Sequence, residues 1–159
     1  MRLTDLIEPL RILLPFEAAT RWDAIEKMVA HLTAIGSLRR ENQADALEAI
    51  RHREEAHSTG MEHGIALPHG PVDFLPRVEA VLALAPAGVP FDSIDGRPAR
   101  IVLLLLVPRN RLQKHVRTLA GIARLLNDEE LRESLLSAGS PEDAYRLLRA
   151  EENTALHRR

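Results

Sequence analysis

The stretch that most constrains how this chain can fold is the apolar run Ile101-Val-Leu-Leu-Leu-Leu-Val107. Successive side chains of a β-strand point to opposite faces, so a strand with no polar face must be covered on both sides. The run is far too short to cross a bilayer as a helix, which takes about 20 apolar residues. Pro108 ends it. The run is therefore read as the central strand of a layered domain.

The flanking sequence alternates between strand and helix patterns. Ile12-Leu13-Leu14, closed by Pro15, is expected to be an edge strand. Thr20 with Asp23 three residues on resembles a capping box and starts a helix that runs to about Ile35. Ala24, Met28, His31 and Ile35 fall near one stripe, with Ile25, Val29 and Leu32 beside it and Gly36 as the stop. His31 is read there as a packed or rim residue. A second helix is expected from near Asn42 to about Glu54, with Ala46, Leu47 and Ile50 on its apolar side. Its end, with Arg51, Arg53, Glu54 and Glu55, is read as mostly solvated. Val78 to Ala85 reads as a strand and Asp95-Gly96-Arg97-Pro98 as a turn.

Past Pro108 a long helix is expected from about Asn110 to Leu126, with Leu112, Val116, Leu119, Ala123 and Leu126 as its buried stripe. Asp128 to Ala138 should form another. A last helix starts at Ser140-Pro141, as cap and first position, and ends near Glu151, with a frayed tail from about residue 152. Strands alternating with amphipathic helices give a layered α/β class. At 159 residues the chain fits one domain, 1–159.

Composition excludes several functions. There is no cysteine, so disulfides, thiol nucleophiles and thiolate metal sites are out. Net charge is −2 and aromatics are 3%, which argues against nucleic acid as a partner. The start of the chain has no signal-peptide pattern and no segment is apolar enough for membrane insertion, so a cytoplasmic location is expected. No P-loop, GxGxxG or Gly-x-Ser-x-Gly motif is present.

Three of the seven histidines, His57, His63 and His69, fall between His57 and Gly70, among Gly60, Gly64, Pro68 and Gly70. This punctuation rules out a regular helix. Ile65-Ala66-Leu67 is expected as a short strand delivering Pro68-His69-Gly70 to a turn. His115 follows the carboxyl end of the central strand, where ligand sites of open α/β sheets gather. Near a helix start, the dipole disfavours protonation of His115 and favours a bound anion. A neutral imidazole is a competent nucleophile at cellular pH. Phosphoryl acceptance at a ring nitrogen is the chemistry suggested, with arginine and the second histidine stabilising the oxygens. The rival is a metal site at His57, His63 and His69, but their even spacing by six matches neither a helical pair nor a zinc finger. Arg97, Arg100, Arg109, Arg111, Lys114, Arg117 and Arg124 accumulate between Asp95 and Asp128, where no acid occurs. Most are read as a solvated face, and those near His115 as a docking surface for a phosphorylated or acidic partner.

Arg53-Glu54, Ser58-Thr59-Gly60 and Gly64-Ile65-Ala66-Leu67-Pro68-His69-Gly70 together resemble the signature of enzyme IIA domains of the bacterial phosphotransferase system. The likeness is to the fructose/mannitol type and the nitrogen-regulatory type. His115-x-x-x-Leu119-Ala120-x-Ile122-Ala123-x-Leu125-Leu126 resembles that family's second histidine motif. The resemblance implies a mixed central β-sheet flanked by helices on both faces. It implies that His69 accepts a phosphoryl group from a histidine phosphocarrier protein, HPr or its nitrogen-branch relative. By the same carry-over His115 and Arg53 stabilise the phosphoryl group, and Thr59 is a candidate for a supporting hydrogen bond; His57 and His63 receive no role. The protein would be a transferase-class component working through a phosphohistidine, and no cofactor or metal is expected. Two departures bear on docking: Val116 stands where the family usually has leucine, and the loop Pro108 to Lys114 is basic and somewhat long. A IIA domain alone, without membrane segment or second domain, tilts the expectation to the regulatory type. The alternatives are the IIA component of a fructose/mannitol-type transporter passing phosphate to a IIB domain, and a binding module that keeps the fold without phosphotransfer. A metal-dependent enzyme is the outlier.

Overall fold

The structure is a computed structural model describing residues 2–157. Its centre is the expected strand, β5 (Ala99–Pro108), which is buried at almost every position. β4 (Glu79–Val89) pairs with it antiparallel, Leu82 opposite Leu103. On its other side lie two short parallel strands, β2 (Ile65–Ala66) and β3 (His69–Val72). β1 (Ile12–Leu13) pairs parallel with β4 and forms the opposite edge, as the proline-closed segment predicts. The sheet is mixed.

Strand alternation sorts the core into two layers. Val81, Ala83, Val102, Leu104 and Leu106 face α2 (Arg21–Ala34) and α3 (Gln43–Ala56). Leu82, Leu84, Ile101, Leu103 and Leu105 face α1 (Leu3–Leu6), α4 (Leu112–Leu126), α5 (Glu129–Leu136) and α6 (Pro141–His157). Helices therefore cover both faces, which is why β5 carries no polar side chain between Ile101 and Val107.

Local signals behave as their chemistry requires. The Thr20 hydroxyl accepts from the Asp23 amide at 3.1 Å, and the Asp23 carboxylate accepts from the Ala19 amide at 3.2 Å, a reciprocal cap at the start of α2. Gly36 follows the end of that helix with φ +81°, the left-handed turn that glycine permits. His31 is structural: its Nε2 lies 2.8 Å from the Leu10 carbonyl oxygen.

Four expectations are corrected. The chain at Pro68-His69-Gly70 is not a turn, because His69 opens β3. Pro68 has no N–H to give the ladder, yet its carbonyl accepts from the Leu105 amide at 3.0 Å and pairing resumes at once. β4 continues beyond Ala85 to Val89, through a register shift between Leu84 and Val89 that takes up Pro86. α6 does not end at Glu151 but runs to His157, anchored by a buried Glu152 that accepts from the Leu3 and Thr4 amides at 2.8 and 3.1 Å. Residues 158 and 159 of the expected tail lie outside the described residues. The fourth concerns α4. Leu112 and Val116 are 37% and 59% exposed, whereas His115 is 2% exposed, so the inward stripe is His115, Leu119, Ile122 and Leu126. Both sets share one apolar arc of the helix, and hydropathy alone ranks leucine and valine above histidine for burial.

Candidate functional site

The site is built where α3 and β3 bring Arg53, Glu54 and His69 together, and His115 stands at the start of α4. Gly70 fixes one wall. A Cβ there would lie 2.8 Å from the carbonyl carbon of Ala49 and 2.9 Å from the amide nitrogen of Ile50, so β3 and α3 touch backbone to backbone. Gly70 and Val72 thus face α3, and alternation puts His69 and Pro71 on the other face. His115 is buried on α4, the helix that covers that other face. Both imidazoles therefore belong to one side of the sheet.

His69 is half-buried, and its Nδ1 is 2.8 Å from the carbonyl oxygen of Leu67. A carbonyl only accepts, so Nδ1 carries the proton and Nε2 keeps its lone pair. Burial pushes the His69 pKa below the ordinary histidine value. The Leu67 hydrogen bond opposes that shift, the Arg53 guanidinium adds to it, and the Glu54 carboxylate opposes it more weakly. The imidazole is therefore neutral near pH 7.

Arg53 stands in the last turn of α3 and donates from Nη1 to the His57 carbonyl oxygen at 2.7 Å. This bond fixes its cation beside His69 and leaves its other donors unassigned. His115 has the complementary character. Burial first, then the cations Lys114 and Arg111, lower its pKa. Its Nδ1 has no hydrogen-bond partner among the described residues. The amino end of α4 has no side-chain cap, so the positive end of the helix dipole is unopposed there.

Thr59 is buried, and its hydroxyl donates to Glu54 Oε2 at 2.5 Å, while its amide lies 3.1 Å from each oxygen of the same carboxylate. The one hydroxyl proton of Thr59 is thus committed to a neighbour. Glu54 is an exception to the mostly solvated helix end; it is 1% exposed, because Thr59 and Arg21 supply the partners a buried carboxylate needs. The signal available in the sequence was the acid's place just before the donor-rich Ser58-Thr59-Gly60. His57 is exposed and bonds through its backbone, its carbonyl accepting from Arg53 Nη1 and its amide donating to the Arg53 carbonyl at 3.4 Å, and His63 is exposed with φ +65°. Among the described residues no group of three or more His, Asp or Glu side chains is placed to hold a metal ion.

The basic stretch divides. Arg100 pairs with Glu133 at 3.4 Å and Arg109 with Asp73 at 3.0 Å. Arg111, Lys114 and Arg117 are exposed and form no ion pair among the described residues. They surround the exposed Leu112 and Val116, giving the start of α4 an apolar, cationic surface. A hollow of about 530 Å³ borders this helix at its far end between α1 and α6, lined by Arg2, Gly121, Arg124 and Glu151. It includes none of the histidines. No helix among the described residues is long and apolar enough to cross a membrane.

The chain is similar to known proteins along nearly its whole length. Residues 5–151 match the family model described as phosphoenolpyruvate-dependent sugar phosphotransferase system, EIIA 2. A nitrogen regulatory protein of Bradyrhizobium diazoefficiens is 30% identical over 155 residues, covering 98% of this chain and 99% of that protein. A PTS system fructose-specific EIIA component of Haloferax volcanii is 32% identical over 151 residues, 93% of this chain and 97% of that protein. The crystal structure of the nitrogen regulatory protein IIA-Ntr from Neisseria meningitidis superposes with a TM-score of 0.82 at 28% identity, over 92% of this chain and 98% of that one.

Proposed function

The chain belongs to the EIIA 2 family of the phosphoenolpyruvate-dependent sugar phosphotransferase system, and from that premise we propose that it is a phosphoryl carrier with His69 Nε2 as the acceptor. The observation that carries this reading is the Nδ1 contact to the Leu67 carbonyl, which leaves Nε2 as the free nucleophilic nitrogen of a neutral ring. The donor is a phosphohistidine on a histidine phosphocarrier protein, HPr or its nitrogen-branch relative.

In the transfer, the Nε2 lone pair attacks phosphorus while the P–N bond to the donor imidazole breaks. The bonding pair stays on the donor nitrogen. No proton needs to move when the donor imidazole leaves neutral with an N–H on its other ring nitrogen: the His69 proton stays on Nδ1, donated to the Leu67 carbonyl oxygen, which stabilises the positive charge the ring acquires. Positioning and charge stabilisation supply most of the catalysis in such a step. Arg53 and His115 stabilise the phosphoryl oxygens, His115 as a neutral donor at the positive end of α4. Thr59 serves indirectly, by holding Glu54 and the chain before His69. The carrier docks over Leu112 and Val116, with acidic groups of its own against Arg111, Lys114 and Arg117.

We read the role as regulatory, on the strength of the nitrogen regulatory relative matched over nearly its whole length. The second reading, the IIA component of a fructose/mannitol-type transporter, rests on the fructose-specific relative. Mixing phosphorylated protein with a fructose-type IIB domain separates them: rapid transfer of phosphate to IIB favours the transporter.

The primary test is incubation with phosphoenolpyruvate, enzyme I and a histidine phosphocarrier, read by intact mass. One acid-labile phosphate is expected, absent from His69→Ala. Phosphate that persists in that variant, or none with any carrier, overturns the proposal.

A further inference from the structure

Glu54 is a fully buried carboxylate beside the site that the phosphoryl step does not use. Its oxygens face donors only: the Thr59 amide at 3.1 Å from each, the Thr59 hydroxyl at 2.5 Å from Oε2, and Arg21 Nη1 at 3.4 Å from Oε1. A protonated carboxyl would turn its own O–H toward one of these donors, so the set fits the ionised form.

The contacts continue beyond Thr59. The Thr59 carbonyl accepts from the Leu67 amide at 3.2 Å. The Leu67 carbonyl lies 2.8 Å from His69 Nδ1. Four residues are thus joined end to end, from a buried carboxylate to the imidazole. We infer that Glu54 is a positioning residue that holds His69 in its Nδ1–H tautomer through Thr59 and Leu67.

Each link has a mechanical reason. Four contacts, three from Thr59 and one from Arg21, fix the Glu54 carboxylate, and Thr59 cannot rotate without stripping a buried charge of three of them, which is costly. A fixed Thr59 orients its carbonyl to the Leu67 amide. Leu67 precedes Pro68, whose ring restricts the backbone before it, so the Leu67 carbonyl keeps one direction. Its only hydrogen-bonding role is acceptance, and the imidazole answers with Nδ1–H. Which nitrogen of a histidine carries the proton is set by the partner of the other. Ser58 ties the same segment down, its hydroxyl donating to the Phe91 carbonyl. The Glu54 charge also counters the effect of Arg53 on the His69 pKa, in keeping with a carboxylate tuned to this ring.

The inference rests on His69 as the acceptor for its functional meaning, but its structural half is measurable without phosphate. In ¹⁵N-labelled protein, histidine nitrogen shifts report which ring nitrogen of His69 is protonated. The unmodified protein is expected to show Nδ1–H almost alone. Glu54→Leu should raise the Nε2–H share severalfold, Glu54→Gln should raise it less, and Glu55→Gln, at an exposed acid one residue on, should leave it unchanged. The Glu54 variants should also accept phosphate on the order of tenfold more slowly at saturating carrier, the usual scale for losing a partner that orients a functional imidazole. An unchanged tautomer in folded Glu54→Leu overturns the inference. Should that variant not fold, an unchanged tautomer in Glu54→Gln overturns it equally. A protein with the Nδ1–H tautomer that takes no phosphate would instead overturn the acceptor reading and leave the relay standing.

Discussion

The carboxyl end of α3 and the amino end of α4 each deliver residues to the histidine site, and they are built in opposite ways. The end of α3 is tied at several polar groups: Glu54 to Thr59 and Arg21, Arg53 to the His57 carbonyl, and the helix backbone against Gly70. The start of α4 is loose by comparison. Among the described residues it has no side-chain cap, His115 Nδ1 is unpartnered, two large apolar side chains are exposed, and three cations lack ion pairs. One end is preorganised around His69. The other is unfinished in the free protein, as a surface completed by a partner would be. A phosphoryl carrier needs both, because its imidazole must be held while its donor comes and goes.

The comparison can be broken most sharply at Gly70. Gly70→Ala forces a Cβ against the Ala49–Ile50 backbone, and overpacking of this kind typically costs about 1–3 kcal/mol. Chemical denaturation should show that loss, with phosphate acceptance falling alongside it. An unchanged midpoint would mean that the α3 side is not rigid.

On the α4 side, Val116→Asp should do the reverse. The site is 59% exposed, so stability should change by no more than about 0.5 kcal/mol, while transfer from the carrier slows severalfold through a higher KM. Equal KM values would remove this face from the docking surface.

The two imidazoles sharpen the contrast by their titration. Both have folded pKa values below the ordinary one, so both bind protons more weakly folded than unfolded. Their stabilising contribution is complete above about pH 6.5 and is lost as pH falls from there through the lowered folded values. Phosphate acceptance should fall over the same acid window as His69 protonates. Added salt should raise the His115 pKa, because it screens exposed Lys114 and Arg111, and move His69 less, since burial is its largest cause. NMR titration at two ionic strengths checks this; equal salt responses would contradict it.

The smallest effect is expected at Gly121. A Cβ there meets nothing within 4 Å, so Gly121→Ala should stabilise α4 by roughly 0.5–1 kcal/mol and leave transfer unchanged. Thermal denaturation would register the gain, and a loss would show that α4 is more tightly packed than its exposed start implies.

Much of this molecule is determined by the sequence alone. Ile101 to Val107 can only be a strand covered on both faces, Thr20 with Asp23 and Gly36 bound α2, and the seven-residue Gly64 to Gly70 signature identifies the family and its histidine. These features are local: a period, a cap or a motif carries its own physical consequence. What the tertiary structure decided is how charge is placed. Glu54 and Glu152 look like solvated acids in charged stretches, and each is buried where the fold supplies partners: the Thr59 amide and the distant Arg21 side chain for Glu54, the distant Leu3 and Thr4 amides for Glu152. The inward stripe of α4 likewise passes through His115 rather than Leu112 and Val116, and His69 begins a strand because Leu105 is there to pair with Pro68. A pattern along the chain counts apolar residues, whereas the burial of a polar group depends on partners, and the partners come from elsewhere in the fold.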